Sequence, residues 1–301
     1  MKFRFEKLIL FLSNQCNLRC DYCIVKKGNQ LISKLYFEKL VDFLKSNNDF
    51  NVIKFFGGEP LMHFYLIKRI VDIFKDRYVR EIVTNGYFLS KDVIMYLEKN
   101  KFLIYLSEDF EKKNRVKRLI DRFKVKNKLV INITLRPESI DKVINYMKDL
   151  YSMWIYNFNV LPIYYKIKRK KSDLNLLKKL FEKLVLLKLK YPKLNYWGLW
   201  DGKEKLINEK SLFLSYDWKF YLSDLVENYY QFGGSLKKKL EVGDLNVGIR
   251  VDDIENKNMI LKKFLKSIDD EDLNKIVDYF TLFYNRIFNG KIKTRMGENL
   301  Y

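Results

Sequence analysis

A chain of 301 residues, with 58 lysines and arginines against 37 acidic residues and a net charge of +21, has room for a core of about 190 residues and a smaller C-terminal part. No stretch approaches the ~20 apolar residues of a membrane span, and the run Leu8 to Leu12 is shorter than the apolar region of a signal peptide, so neither segment is expected. Three cysteines, all within the first 23 residues, rule out a disulfide framework and predict thiols kept reduced in a cytoplasm.

In chain order, Leu8 to Ser13 reads as a strand leading into CNLRCDYC, which places Cys16, Cys20 and Cys23 three and then two residues apart, with Tyr22 before the last. Three thiolates suit a 4Fe–4S cluster, which needs four ligands and so keeps one iron open. The competing reading is three buried thiols, because free cysteine packs as a small hydrophobe. All three cysteines falling on this spacing, with none elsewhere, weighs against it. A helical stretch over about 33–45 comes next, then the apolar run Val52 to Phe56, closed by Gly57-Gly58-Glu59-Pro60. A glycine pair at the carboxyl end of a strand lets the backbone approach a ligand closely, since neither residue has a Cβ. His63, the only histidine, reads as a loop residue, because one histidine makes a poor metal site.

The rhythm continues with strands at Arg80 to Thr84, Leu103 to Leu106, Val130 to Leu135 and Phe158 to Leu161. Helical patterns at about 65–76, 90–99, 112–124, 138–150 and 173–190 alternate with them, and Ser90, Ser139 and Ser172 stand at N-cap positions. Strands alternating with helices predict an α/β fold of parallel strands with right-handed crossovers, in an open or partial barrel. Ligands of such folds bind at the carboxyl ends of the strands, where every polar motif of this chain falls.

Together, the cysteine spacing, GGEP and Thr84-Asn85-Gly86 resemble the signature of the radical S-adenosylmethionine (SAM) superfamily. The resemblance implies a partial (β/α)6 barrel over residues 1–200, with Cys16, Cys20 and Cys23 holding one 4Fe–4S cluster. Its open iron would take the amino and carboxylate groups of S-adenosylmethionine, and the reduced cluster would cleave that molecule to a 5′-deoxyadenosyl radical. By the same resemblance Gly57, Gly58 and Glu59 hold the methionyl ammonium, Tyr22 lends its backbone to the adenine, and Asn85 belongs to a loop beside the cofactor. Ser107 and Asp109 match an S-x-D-G turn in which Phe110 replaces the glycine, and Ser107 becomes a donor to the SAM carboxylate or ribose. Arg136 could pair with that carboxylate through its bidentate fork. Ordinary turn and cap roles compete with the ligand roles of Asn85, Ser107 and Arg136.

Residues 201–301 resemble, more loosely, the SPASM or Twitch extensions of peptide- and protein-modifying members. Leu212 to Leu214 and Phe220 to Leu222 read as a hairpin around Asp217-Trp218, and Val242-Gly243-Asp244-Leu245 closes the match. Ser223 replaces the expected cysteine while Asp224 keeps the aspartate, which serves as a base in sulfatase-maturing relatives. A plain hairpin-end aspartate is the competing reading. With no cysteine beyond residue 23, an auxiliary cysteine-ligated cluster cannot form within this chain. Two helical patterns follow, at about 253–267 and 270–288.

The lysines are spread through most helices and read as solvated faces, apart from Lys166 and Lys168 to Lys171, which lie beside Tyr164 and Tyr165. That cluster would suit an acidic or phosphorylated substrate, or a nucleobase. The expected activity is hydrogen abstraction from a peptide or protein side chain, fed by an external one-electron reductant (flavodoxin or ferredoxin). The alternatives are a small-molecule or nucleotide-processing radical enzyme and a non-catalytic scaffold. Nucleic acid is the less favoured partner, and no membrane is expected.

Overall fold

The computed structural model describes residues 5–20, 23, 25, 27–47, 49–108, 115–135, 140–162, 171–197, 211–215, 217–221 and 238–250, with 254, 257, 259 and 260. The chain divides into two interleaved compact units, residues 1–104 with 207–268 and residues 105–206 with 269–301. Strands and helices alternate as β1 (Lys7–Phe11), α1 (Lys34–Ser46), β2 (Val52–Phe56), α2 (Phe64–Phe74), β3 (Val79–Thr84), α3 (Lys91–Lys99) and β4 (Leu103–Glu108). The boundary between the units falls inside β4.

In the first unit β1 pairs with β2 residue for residue, Lys7 with Val52 through Phe11 with Phe56, and β2 pairs with β3, all parallel. Side chains alternate across the sheet. Ile53 and Phe55 line the same small gap as Ile70, Val71 and Phe74 of α2. Lys54 and Phe56 face the other way. On that side Phe11 meets Phe56 edge-on at 5.6 Å, and Lys7 donates to both oxygens of buried Glu81 at 2.9 and 3.0 Å. The helices form as their patterns predict. Ser33 caps α1 by accepting from the Tyr36 N–H, and Ser90 caps α3 by accepting from the Val93 N–H. Phe37, Leu40, Val41 and Leu44 make the buried stripe of α1, at the spacing of a helix with one apolar face.

β8 (Ser211–Leu214) departs from the sequence reading. Expected only as one arm of a hairpin, it also lies parallel to β1, with Lys7 opposite Ser211 and Leu10 opposite Leu214. A parallel pairing across some 200 residues leaves no local mark, whereas the antiparallel turn to β9 (Lys219–Tyr221) does. β10 (Glu241–Asp244) and β11 (Gly248–Ile249) continue the antiparallel run, so the order is β11-β10-β9-β8-β1-β2-β3. The hairpin packs on α1. Trp218 stacks on Tyr36 at 5.1 Å, Phe220 meets Phe43 at 4.7 Å, and Lys39 bonds to Asn246. Trp218 holds a φ of 66°, a left-handed backbone unfavourable for a bulky side chain. Its stacking and the Leu245 N–H bonded to its carbonyl at 3.1 Å hold it there.

The second unit contains α4 (Arg115–Ile120), β5 (Leu129–Leu135), α5 (Ile140–Ser152), β6 (Asn157–Pro162), α6 (Lys171–Lys190) and β7 (Asn195–Trp197). β5, β6 and β7 are parallel neighbours. α4 ends four residues before the pattern at 112–124 does, because the Arg122 and Phe123 N–H groups turn back to Leu119 and Ile120 and end the helix. β4 runs two residues beyond the expected strand, so Ser107 and Glu108 are strand residues. The sheet is mostly parallel and not closed, as a partial barrel requires. Among the described residues no helix is long and apolar enough to cross a membrane.

Phe55 is 1% exposed between the sheet and α2. Phe55→Ala should therefore lower the unfolding free energy by about 3–5 kcal/mol, read from a denaturant titration.

Candidate functional site: a clasped thiol loop

The carboxyl ends of β1, β2 and β3 meet around the cysteine loop. After β1 the chain runs through Ser13, Asn14 and Gln15 to Cys16, and after β2 it turns through Gly57, Gly58 and Glu59. The two segments lie backbone to backbone. The Gly58 N–H donates to the Ser13 carbonyl at 3.1 Å, and the Glu59 N–H donates to the Gln15 carbonyl at 2.8 Å. A Cβ on Gly57 would stand 2.6 Å from the Ser13 oxygen, and one on Gly58 would stand 1.9 Å from the Gln15 oxygen. Gly57 also has a φ of 137°, which side chains rarely adopt. Sequence alone assigns these glycines to the close approach of a ligand, and in the structure they also make room for the chain's own backbone.

The base of the loop is clasped a second time. The Asn14 amide donates to the Gln30 side chain at 2.9 Å and accepts from the Gln30 N–H at 2.9 Å. The Ser13 hydroxyl donates to the Gln30 carbonyl at 2.8 Å, and Ser13 and Leu31 form an isolated β-bridge. Asn14 is 3% exposed, so these bonds satisfy polar groups that water does not reach. Sequence reading missed Ser13, Asn14 and Gln30 as parts of the site. The clasp joins positions 16 and 17 residues apart, so no local motif marks it.

Glu59, 1% exposed, joins β2 to β3. One oxygen accepts from the Leu61 N–H at 3.1 Å and the Thr84 hydroxyl at 2.7 Å, while the other accepts from the Asn85 N–H at 2.7 Å. Asn85 then reaches the cysteine loop, its amide 2.9 Å from the Asn17 oxygen and 3.9 Å from the Cys16 sulfur. The structure thus brings Cys16, Gly57, Gly58, Glu59 and Asn85 together. Ser107 lies near the carboxyl end of β4, half-buried. Tyr22, Arg136 and Asp224 lie outside the described residues, as do Asp109, Phe110, Ser223, Lys166 to Lys170 and most of the helical pattern at 253–267 with all of that at 270–288.

The three cysteines form no disulfide and are of intermediate exposure. The Leu18 N–H donates to the Cys16 sulfur at 3.4 Å, and the Cys23 N–H bonds to the Cys20 carbonyl at 3.1 Å. Among the described residues no three metal-ligating side chains converge on a single ion. A 4Fe–4S cluster takes each thiolate at a different iron, so convergence on one point is not what it requires. The donor set, three cysteine thiols outside any disulfide on one clasped loop with polar donors beside it, fits such a cluster. Lys27 lies next to two of the thiols. Burial pulls its pKa down, but Cys23 and then Cys16 more than offset this by charge and hydrogen bonding, and it stands above the usual lysine value. His63 bonds through Nε2 to the Gln15 side chain at 3.0 Å, and burial pulls its pKa below the ordinary value.

A mostly parallel open sheet with a clasped cysteine loop at its carboxyl ends defines an α/β protein built to hold an iron–sulfur cluster. The sequence model described as the radical SAM superfamily matches residues 10–185, and the chain belongs to that superfamily. Its members are enzymes that use a 4Fe–4S cluster and S-adenosylmethionine. The chain is 31% identical to a radical SAM cyclopropyl synthase, TigE, of Paramaledivibacter caminithermalis, over 33% of this chain and 26% of that one. It is 33% identical to a GTP 3′,8-cyclase of Aliarcobacter butzleri, over 29% of each chain. The matched region thus spans less than a third of either relative. In fold it is similar to anSMEcpe with bound AdoMet, at a TM-score of 0.71 and 16% identity over 98% of this chain and 96% of that one. It is also similar to Streptococcus suis SuiB bound to the precursor peptide SuiA, at 0.62 and 18% over 91% and 66%.

Gly58→Ala must push the two loop backbones apart. The variant should fold yet retain much less iron than the parent after anaerobic reconstitution, measured by iron assay and visible absorbance. His63, with its pKa depressed, contributes stability that is present above about pH 6.5 and lost as the pH falls through its folded value. The melting temperature of the parent relative to His63→Gln should accordingly decline as the pH is taken from 8 to 5.

Proposed function

We propose that this chain is a radical SAM enzyme that takes hydrogen from a peptide or protein side chain. Whole-chain likeness in fold to anSMEcpe and SuiB, the second solved with a precursor peptide, is the observation that carries this substrate class. Residues 1–200 serve as the core, in keeping with a family match that ends at residue 185, and residues 201–301 serve as the extension. Cys16, Cys20 and Cys23 would hold the cluster. When bound and reduced, it supplies the electron that converts S-adenosylmethionine to a 5′-deoxyadenosyl radical.

The protein's own groups do the rest by placement. The Gly57–Glu59 turn and Asn85 border the site of the amino acid part of S-adenosylmethionine, with Ser107 and Arg136 assigned to its carboxylate and ribose. Tyr22 is assigned to the adenine. Asp224 is assigned as the base that would take a proton from the substrate residue. The electron comes from an external carrier such as a flavodoxin or ferredoxin, in a cytoplasm that keeps the thiols reduced. Lacking cysteines for further clusters, the chain suits epimerisation, carbon–carbon cross-linking or simple oxidation. A second reading, a nucleotide-processing enzyme, is favoured by the identity to GTP 3′,8-cyclases and by the basic run Lys166 to Lys171.

Anaerobic reconstitution followed by S-adenosylmethionine and dithionite should yield 5′-deoxyadenosine, detected chromatographically, and Cys20→Ala should yield none. Precursor-type peptides should raise that yield. Thermal stabilisation by GTP without any response to peptides would decide for the nucleotide reading. Failure of the parent to take up iron would sink both.

A further inference from the structure

Asn85 is held with unusual completeness for a residue in a strand-end loop. Its own N–H donates to Glu59 at 2.7 Å, and the neighbouring Thr84 hydroxyl donates to the same carboxylate at 2.7 Å. Thr84 also accepts from the Gly86 N–H at 3.0 Å, and Gly86 adopts a φ of 80° that closes the turn. The orientation of the Asn85 amide is then decided by Tyr87, whose N–H donates to Oδ1 at 3.0 Å. An amide whose oxygen is occupied must present its NH2 to the other side. That side offers two acceptors for two hydrogens, the Asn17 oxygen at 2.9 Å and the Cys16 sulfur at 3.9 Å. Cys16 already accepts from the Leu18 N–H at 3.4 Å.

We infer that Asn85 is a positioning residue that tunes the cluster through Cys16, and that the buried Glu59–Thr84 pair exists to aim it. The inference rests on the assignment of the cysteine loop as a cluster site. Its physical basis is charge. Reduction adds an electron to a group already bearing three thiolates, and N–H···S bonds stabilise the added negative charge, raising the potential. Glu59 then acts as a strut: with its oxygens on Leu61, Thr84 and Asn85, it couples the end of β2 to the end of β3 and so to the sulfur. Asn17, which is exposed, shares the Asn85 amide with Cys16 but makes no bond to the sulfur among the described residues.

The test is an EPR-monitored redox titration of the reconstituted full-length protein, with iron content measured on each sample. Asn85→Ala should shift the cluster midpoint to a more negative value at full iron content. Thr84→Val, which loses the hydroxyl but keeps the shape, should shift it the same way by less. Asn17→Ala should show no negative shift. Full iron with an unmoved midpoint in Asn85→Ala overturns the inference and leaves the cluster assignment standing. Absence of iron from the parent protein overturns both. Should Asn85→Ala alone fail to hold iron, Thr84→Val decides, a more negative midpoint supporting the inference and an unchanged one overturning it.

Discussion

The approach of two stretches of backbone, Ser13 to Gln15 and Gly57 to Glu59, organises everything around it. Peptide planes can lie this close only where no Cβ intervenes, and the spaces beside Gly57 and Gly58 leave none. Because the segments touch, two main-chain hydrogen bonds tie the end of β1 to the end of β2 just before Cys16. The same contact carries Glu59 inward, where its carboxylate reaches β3. A single constraint therefore sets the start of the cysteine loop, the burial of the acid and the place of Asn85.

Around that contact the chain uses different devices for different tasks. The thiol loop is held at its base by amide and hydroxyl bonds, Asn14 and Ser13 to Gln30, while its cysteines stay partly exposed. Such a loop is ordered at its feet and accessible at its sulfurs, which suits a site that must take up iron and a small molecule. The C-terminal strands are held by apolar and aromatic contact instead, with Trp218 on Tyr36 and Phe220 on Phe43. They pack on α1, the helix that follows the thiol loop, and extend its sheet at β1. These strands are thus part of the scaffold that carries the loop.

Substrate choice is a separate question from scaffold. Identities confined to about a third of the chain and likenesses in fold at 16–18% bear on the shared chemistry and architecture, and one architecture serves many substrates. The relatives in sequence include cyclases of a nucleotide, and the neighbours in fold include a protein bound to its precursor peptide. The correspondence in fold covers 98% of the chain, and the peptide reading proposed above rests on it.

Local chemistry was legible from residues alone. Cysteine spacing, the glycine pair, Thr84-Asn85-Gly86, the Ser90 cap and the alternation of strands with amphipathic helices each depend on neighbours within a few positions. Helix and strand periodicity follows from backbone geometry, so these signals survive without a fold. Even there the limits of β4 and α4 shifted, because strand pairing and turn bonds outweigh propensity at element ends. Only the tertiary structure decided the pairing of β8 with β1, the Asn14–Gln30 clasp and the bonds from Thr84 and Asn85 to Glu59 that set Asn85 beside Cys16. Those contacts join residues 16 to about 200 positions apart, and which distant polar groups find each other is determined by how the chain packs.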